Sequence, residues 1–185
     1  MKHQNRIQMI MSMAAIAVAL LLTGCASPAT VKGMRPQSLA PQNKQPYSVG
    51  VQVAGGEKTN PLWTSEISNE SFAQAIREGI AESGLFRSVV TVGDGDYLLE
   101  VSLIKVNKPL VGFDMTVILT ADWKLTHIAT RKIVYQDTIT KSYTATMGDA
   151  FAGIKRLRLA EEGAAKENIT EGLNRISRLN LQGNE

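Results

Sequence analysis

The sequence predicts an α+β fold, a two-layer sandwich with two helices packed side by side on one face of a mostly antiparallel sheet, in the order β-α-β-β-β-β-α. Two observations predict it. From Phe113 to Leu125 apolar and polar residues alternate almost throughout, with Phe113, Met115, Val117, Leu119, Ala121, Trp123 and Leu125 on one side and Asp114, Thr116, Ile118, Thr120, Asp122 and Lys124 on the other. Such alternation makes a sheet with one wet face, the pattern of antiparallel neighbours. Two further stretches repeat apolar residues at helical spacing, so each carries a stripe that must bury against something.

In order, Tyr47 to Val53 is β-branched, is bounded by Gly55-Gly56 and reads as the first strand. The stretch SNESFAQAIREGIAESGLF reads as a helix: Ser68 is its N-cap, Glu70 lies in its first turn, Phe72, Ile76 and Ile80 form its stripe, and Gly84 stops it. Phe86 to Val92 is a second strand, closed by a hairpin turn at Gly93-Asp94-Gly95-Asp96. Three longer strands follow as a meander: Tyr97 to Val106, Phe113 to Leu125 and Ile133 to Ala145. The last helix runs from about Ala150 to Leu179, with Phe151, Ile154, Ala165, Ile169, Leu173, Ile176 and Leu179 on one side of the wheel. Residues 47–180 thus form one domain and 181–185 a tail.

Ahead of the domain, Lys2 and Arg6 precede a run from Met9 to Leu22 that only Ser12 interrupts. A spanning helix needs roughly 20 apolar residues, so this run suits an export signal better than an anchor. Leu22-Thr23-Gly24-Cys25 then resembles the bacterial lipobox. That resemblance implies removal of residues 1–24 as a signal peptide and acylation of Cys25, palmitate included, as the first residue of the mature protein. Ala26 and Ser27 follow where an aspartate would retain the protein in the inner membrane, which implies the outer membrane, facing the periplasm. The alternative for Cys25 is an ordinary buried thiol.

Residues 25–46 hold four of the six prolines without apolar periodicity and read as the acylated cysteine followed by a flexible tether. Such a tether spans roughly 25 Å as a coil and about 70 Å stretched, which lets the domain stand clear of the membrane. Lys32, Arg35 and Lys44 make it basic, either a match for an anionic lipid surface or simply a solvated linker.

Once residues 1–24 are removed, 18 basic residues face 17 acidic ones, a balance that points to no nucleic-acid partner. His127, in a predicted turn, is the sole histidine of the mature chain, and no His, Cys and carboxylate cluster has metal spacing. No phosphate loop follows a strand, and Asp94-Gly95-Asp96 lacks the further ligands of a calcium loop. The expected catalytic, cofactor and metal residues are therefore none. Asn168-Ile169-Thr170 has the form of a glycosylation sequon inside the predicted helix and reads as chance.

Asp137 shares parity with the core side of its strand, and Arg158 falls near the centre of the last helix's apolar face. Either the two pair across the sheet-helix boundary, or a bulge or a later helix start removes the conflict. Trp63 is either a staple onto the first helix or a partner contact, and Leu110 and Val111 sit at a hairpin tip where they can touch lipid or protein.

The LTGC box, the NPLW stretch, the helix ending in SGLF, the GDGDYLLEV strand and AEEGAAKENI on the last helix resemble small outer-membrane lipoproteins of the YajG type. The fold also resembles ABC-transport auxiliary lipoproteins and the LptE type, in which two helices cover one sheet. The resemblance covers nearly all of the domain from Tyr47 and brings no catalytic residues with it. It implies a non-enzymatic accessory or docking module of an envelope transport or assembly complex, held to the membrane through Cys25 and bound to an envelope protein partner. Lipid or glycolipid binding is the alternative, an enzyme without histidine a third, and the oligomeric state stays open.

Overall fold

The computed structural model describes residues 27–57, 66–109 and 111–181. Its elements are α1 (Val31–Met34), β1 (Gln45–Ala54), α2 (Asn69–Ser83), β2 (Phe86–Val90), β3 (Tyr97–Asn107), β4 (Met115–His127), β5 (Lys132–Ala145) and α3 (Gly153–Ser177). The predicted α+β sandwich is present. The five strands lie in the order β2-β1-β3-β4-β5, with β3, β4 and β5 antiparallel as expected. β1 departs from the antiparallel expectation, running parallel to both β2 and β3, so the sheet is mixed. His127 ends β4 rather than lying in the turn.

Helix α2 forms where its signals place it. The Ser68 hydroxyl accepts from the Ser71 N–H, and Gly84 takes the left-handed conformation (φ 63°) that a side chain would resist. The stripe Phe72, Ile76 and Ile80 is fully buried.

The turn at residues 91–96 is not a hairpin. β2 ends level with Gly50 and β3 begins level with Val49, on opposite sides of β1, so the chain crosses over β1 there. A Cβ on Gly50 would lie 3.1 Å from the Val92 Cα, which is why the crossing falls on a glycine. Asp96 fastens the crossing: its carboxylate accepts from both the backbone N–H and the hydroxyl of Ser48 at 2.7 Å, and its own N–H donates to the Ser48 hydroxyl at 3.0 Å.

These Ser48 bonds, with Arg87 beside them, hold the Asp96 carboxyl below its ordinary value. Glu171 is lowered likewise, first by Arg175 and then by Lys141. A carboxylate whose folded pKa lies below its unfolded one stabilises the fold above the unfolded value and loses that contribution as pH falls through the folded value. Stability is therefore expected to hold from neutrality to about pH 5 and to fall from about pH 4 downward. Urea titrations across that range check it, and Asp96→Asn should make the acid limb shallower.

The core lies between the sheet and the helices, and its largest fully buried side chains include Trp123, Phe72, Met34, Ile76 and Leu173. α3 comes close to the sheet through small residues: a Cβ on Gly172 would meet the Trp123 indole at 2.7 Å. The indole N–H donates to the Asn168 side-chain carbonyl at 2.9 Å, and the Asn168 amide donates to the Ile139 carbonyl at 2.8 Å. Asn168 is fully buried, which makes the sequon unreachable.

The described part of the expected tether is folded. Residues 27–44 form a strap along the seam between α2 and α3, and α1 packs on both helices. Ala29 and Met34 are buried, Pro36 lies over Gly79, and the Asn43 N–H donates to the Ser177 carbonyl at 2.9 Å. The buried strap residues Ala29, Met34 and Pro36 stand at irregular spacing, so no periodicity betrays them. Arg35 is spent on the fold as well, paired with Glu78 at 3.3 Å and Glu82 at 2.5 Å.

Two aromatic assignments also change. Phe113 and Phe151, expected on the core faces of a strand and a helix, lie before Met115 and Gly153 where those elements begin, and are 81% and 87% exposed.

Candidate functional site

Strand directions give the molecule two distinct ends. β1, β3 and α2 on one hand, and β4, β5 and α3 on the other, bring the 54–57, 66–69, 107–115 and 145–153 stretches together at one of them, the loop end.

The loop end is organised by Arg156, only 5% exposed in the first turn of α3. That helix has no side-chain N-cap. Instead the guanidinium collects carbonyls: Nη1 donates to Ala150 at 2.8 Å and Phe151 at 2.6 Å, and Nη2 donates to Gly112 at 3.2 Å. One cation thereby joins the β3–β4 loop to the β5–α3 loop. Asp149 steadies the second loop, accepting from the Thr146 N–H at 2.7 Å and hydroxyl at 2.9 Å. The joined loops hold three large apolar side chains in solvent, Val111 (85% exposed), Phe113 and Phe151.

The strap starts at this same end. The Ala29 N–H donates to the Glu66 carbonyl at 3.2 Å, and the Thr30 N–H and hydroxyl both donate to Glu162 at 2.9 Å. Glu66 in turn pairs with Lys108 at 2.5 Å, at the root of the β3–β4 loop, and Lys108 reaches the buried Glu161 at 3.5 Å.

At the opposite end a cleft of about 340 Å³ is lined by Tyr47, Tyr97, His127, Ile133, Leu179 and Leu181 among others. The Tyr97 ring stands 5.3 Å from Tyr47, edge to face, and 5.0 Å from His127. His127 Nδ1 lies 2.8 Å from the Thr130 hydroxyl. On the side of the sandwich, burial pushes Tyr135 up to about 12, which keeps its hydroxyl protonated at neutral pH.

Of the residues singled out from the sequence, Leu22, Thr23, Gly24, Cys25, Trp63 and Leu110 lie outside the described residues. Val111 is on the loop end as expected at a hairpin tip. Asp137 and Arg158 are not brought together: Asp137 pairs with Arg175, and Arg158 lies 3.7 Å from Glu162. Asp137 has the expected parity and does face the helix. The buried arc of α3 is broad and includes Glu161, Gly163, Ala164, Asn168 and Gly172, which an apolar count ignores, and this moves Arg158 to its edge.

Arg156 is the residue the sequence reading missed. Its only signal was a basic run, Lys155-Arg156-Leu157-Arg158, at a helix start, where a cation opposes the helix dipole and so calls for a specific reason. Among the described residues, no group of acidic, histidine or cysteine side chains is arranged to hold a metal, and no helix is long and apolar enough to cross a membrane.

The fold is similar to that of solved bacterial proteins. A Xanthomonas campestris protein of the DUF330 family is 14% identical, with a TM-score of 0.55 over 76% of this chain and 88% of that one. A hypothetical protein from Chlamydia trachomatis is 9% identical, with a TM-score of 0.54 over 72% of this chain and 96% of that one. A minor lipoprotein from Acinetobacter baumannii aligns more loosely, at 8% identity and a TM-score of 0.46 over 70% of this chain and 91% of that one. At such identities the likeness concerns the fold alone. No family model matches the chain, and a search of curated proteins returns no match.

Proposed function

We propose that the chain is a lipid-anchored, periplasm-facing outer-membrane lipoprotein that serves as a non-enzymatic docking module of an envelope transport or assembly complex. The observation that carries this reading is Leu22-Thr23-Gly24-Cys25 directly after an export-type run. Two or three acyl chains suffice to hold a protein on a bilayer, since each buried methylene contributes about 0.8 kcal/mol. The YajG-type resemblance supports the same placement, and the exposed apolar loop end gives the domain a surface that a partner or a lipid can cover.

Crosslinking in living cells followed by affinity capture tests the docking role, with Cys25→Ser as the unanchored control. A defined set of envelope proteins is expected with the native chain. Recovery of nothing beyond background would count against the module. The aromatic cleft favours a second reading, lipid or glycolipid binding, for which native mass spectrometry of the purified chain would show a co-purified lipid beyond any acylation.

A further inference from the structure

We infer that the loop end is a membrane seat, in which Val111, Phe113 and Phe151 enter the bilayer surface beside the acyl chains of Cys25. This rests on the lipoprotein reading above and adds an orientation and a contact surface to it.

The first support is chain length. Ala29 is 1% exposed and moored to Glu66, so the strap is part of the fold from there on. Four residue steps separate it from Cys25 and span at most about 14 Å. The headgroup layer of one leaflet is roughly 5–8 Å deep. A cysteine whose acyl chains lie in the hydrocarbon therefore brings the loop end to the interface, whereas a free tether would have imposed no orientation.

The second support is what that end displays. Val111, Phe113 and Phe151 are the three most exposed large apolar side chains among the described residues, and they come from two loops that Arg156 clamps together. The opposite end, where β4 turns into β5, lies roughly 35 Å away along the eleven residues of β3. An apolar tip beside the anchoring point fits insertion at a bilayer surface, where aromatic rings are favoured.

Charge does not drive the contact. Asp114, Asp149 and Lys155 are exposed around the tip, and Lys108 is committed to Glu66 and Glu161. Seating should accordingly be nearly indifferent to the fraction of anionic lipid.

The test uses the full acylated chain in vesicles of phosphatidylethanolamine and phosphatidylglycerol. Nitroxide labels are placed through Phe113→Cys and Phe151→Cys, with Ala129→Cys at the far end as reference; all three positions are exposed, so folding is not at stake. Labels at 113 and 151 are expected to collide several-fold more with oxygen, which partitions into lipid, than with a water-soluble nickel chelate, and the label at 129 should show the reverse. Tip labels as accessible to the chelate as the one at 129 would overturn the seat while acyl mass on the same sample keeps the anchor reading intact. Absence of acyl mass would overturn both. Spin-spin broadening between tip labels would assign this end to a second copy, and shielding seen only in native envelopes would assign it to a protein; either result overturns the lipid contact.

Discussion

Replacing Asn168 by leucine is expected to cost about 3 kcal/mol of folding stability, because it strands the Trp123 indole N–H in a fully buried site and removes the donor that satisfies the Ile139 carbonyl. The leucine is close in volume, so the loss comes from hydrogen bonding and not from a cavity. Urea denaturation with an unchanged m-value would read it as a lower midpoint. Aspartate at 168 should be no better, since it keeps the acceptor for the indole but buries a charge and turns an acceptor toward Ile139. Trp123→Phe leaves the Asn168 carbonyl unpaired and opens space beside Gly172. Combining it with Asn168→Leu removes both polar partners, so the double variant should be less damaged than the two single losses added. Simple additivity would show that the buried bond does not couple α3 to the sheet.

Replacing Met34 by serine is expected to cost about 2–4 kcal/mol and to release the strap before the rest of the fold. Met34 is fully buried in the seam, where α1 packs on both longer helices. Hydrogen exchange should show the Met34 and Arg35 amides, which close α1, losing protection in the variant. The amides that pair β1 with β3 should keep theirs. Unchanged protection at 34 and 35 would mean that the strap is held by Thr30 and Asn43 alone. The variant also bears on function, because a released strap would lengthen the reach from Cys25 and uncouple the loop end from the membrane.

Much of the fold was legible in the sequence because its signals are local. Alternation marked β4, and Ser68 and Gly84 marked both ends of α2. The seam strap was not legible, since Ala29 and Met34 bury themselves singly in gaps that two other elements create. The crossing at Gly50 was missed for a related reason: a glycine-rich turn after a strand looks the same whether the chain folds back or passes over a neighbour. Phe113 and Phe151 followed the parity of the elements behind them, yet both stand two residues outside, where parity no longer assigns a face. Those misassigned aromatics, with Val111, are what form the loop end. Arg156 was hidden within the run Lys155-Arg156-Leu157-Arg158, because its role depends on carbonyls from residues 112, 150 and 151 that only the folded chain brings together.

Mass spectrometry of the N-terminal tryptic peptide from purified membranes, residues 25–32, reads the anchor directly. A peptide that begins at Cys25 and carries fatty-acyl mass on it is the expected result. A free thiol at Cys25, or a mature chain that begins elsewhere, would contradict the lipid anchor and with it the membrane-facing orientation of the loop end.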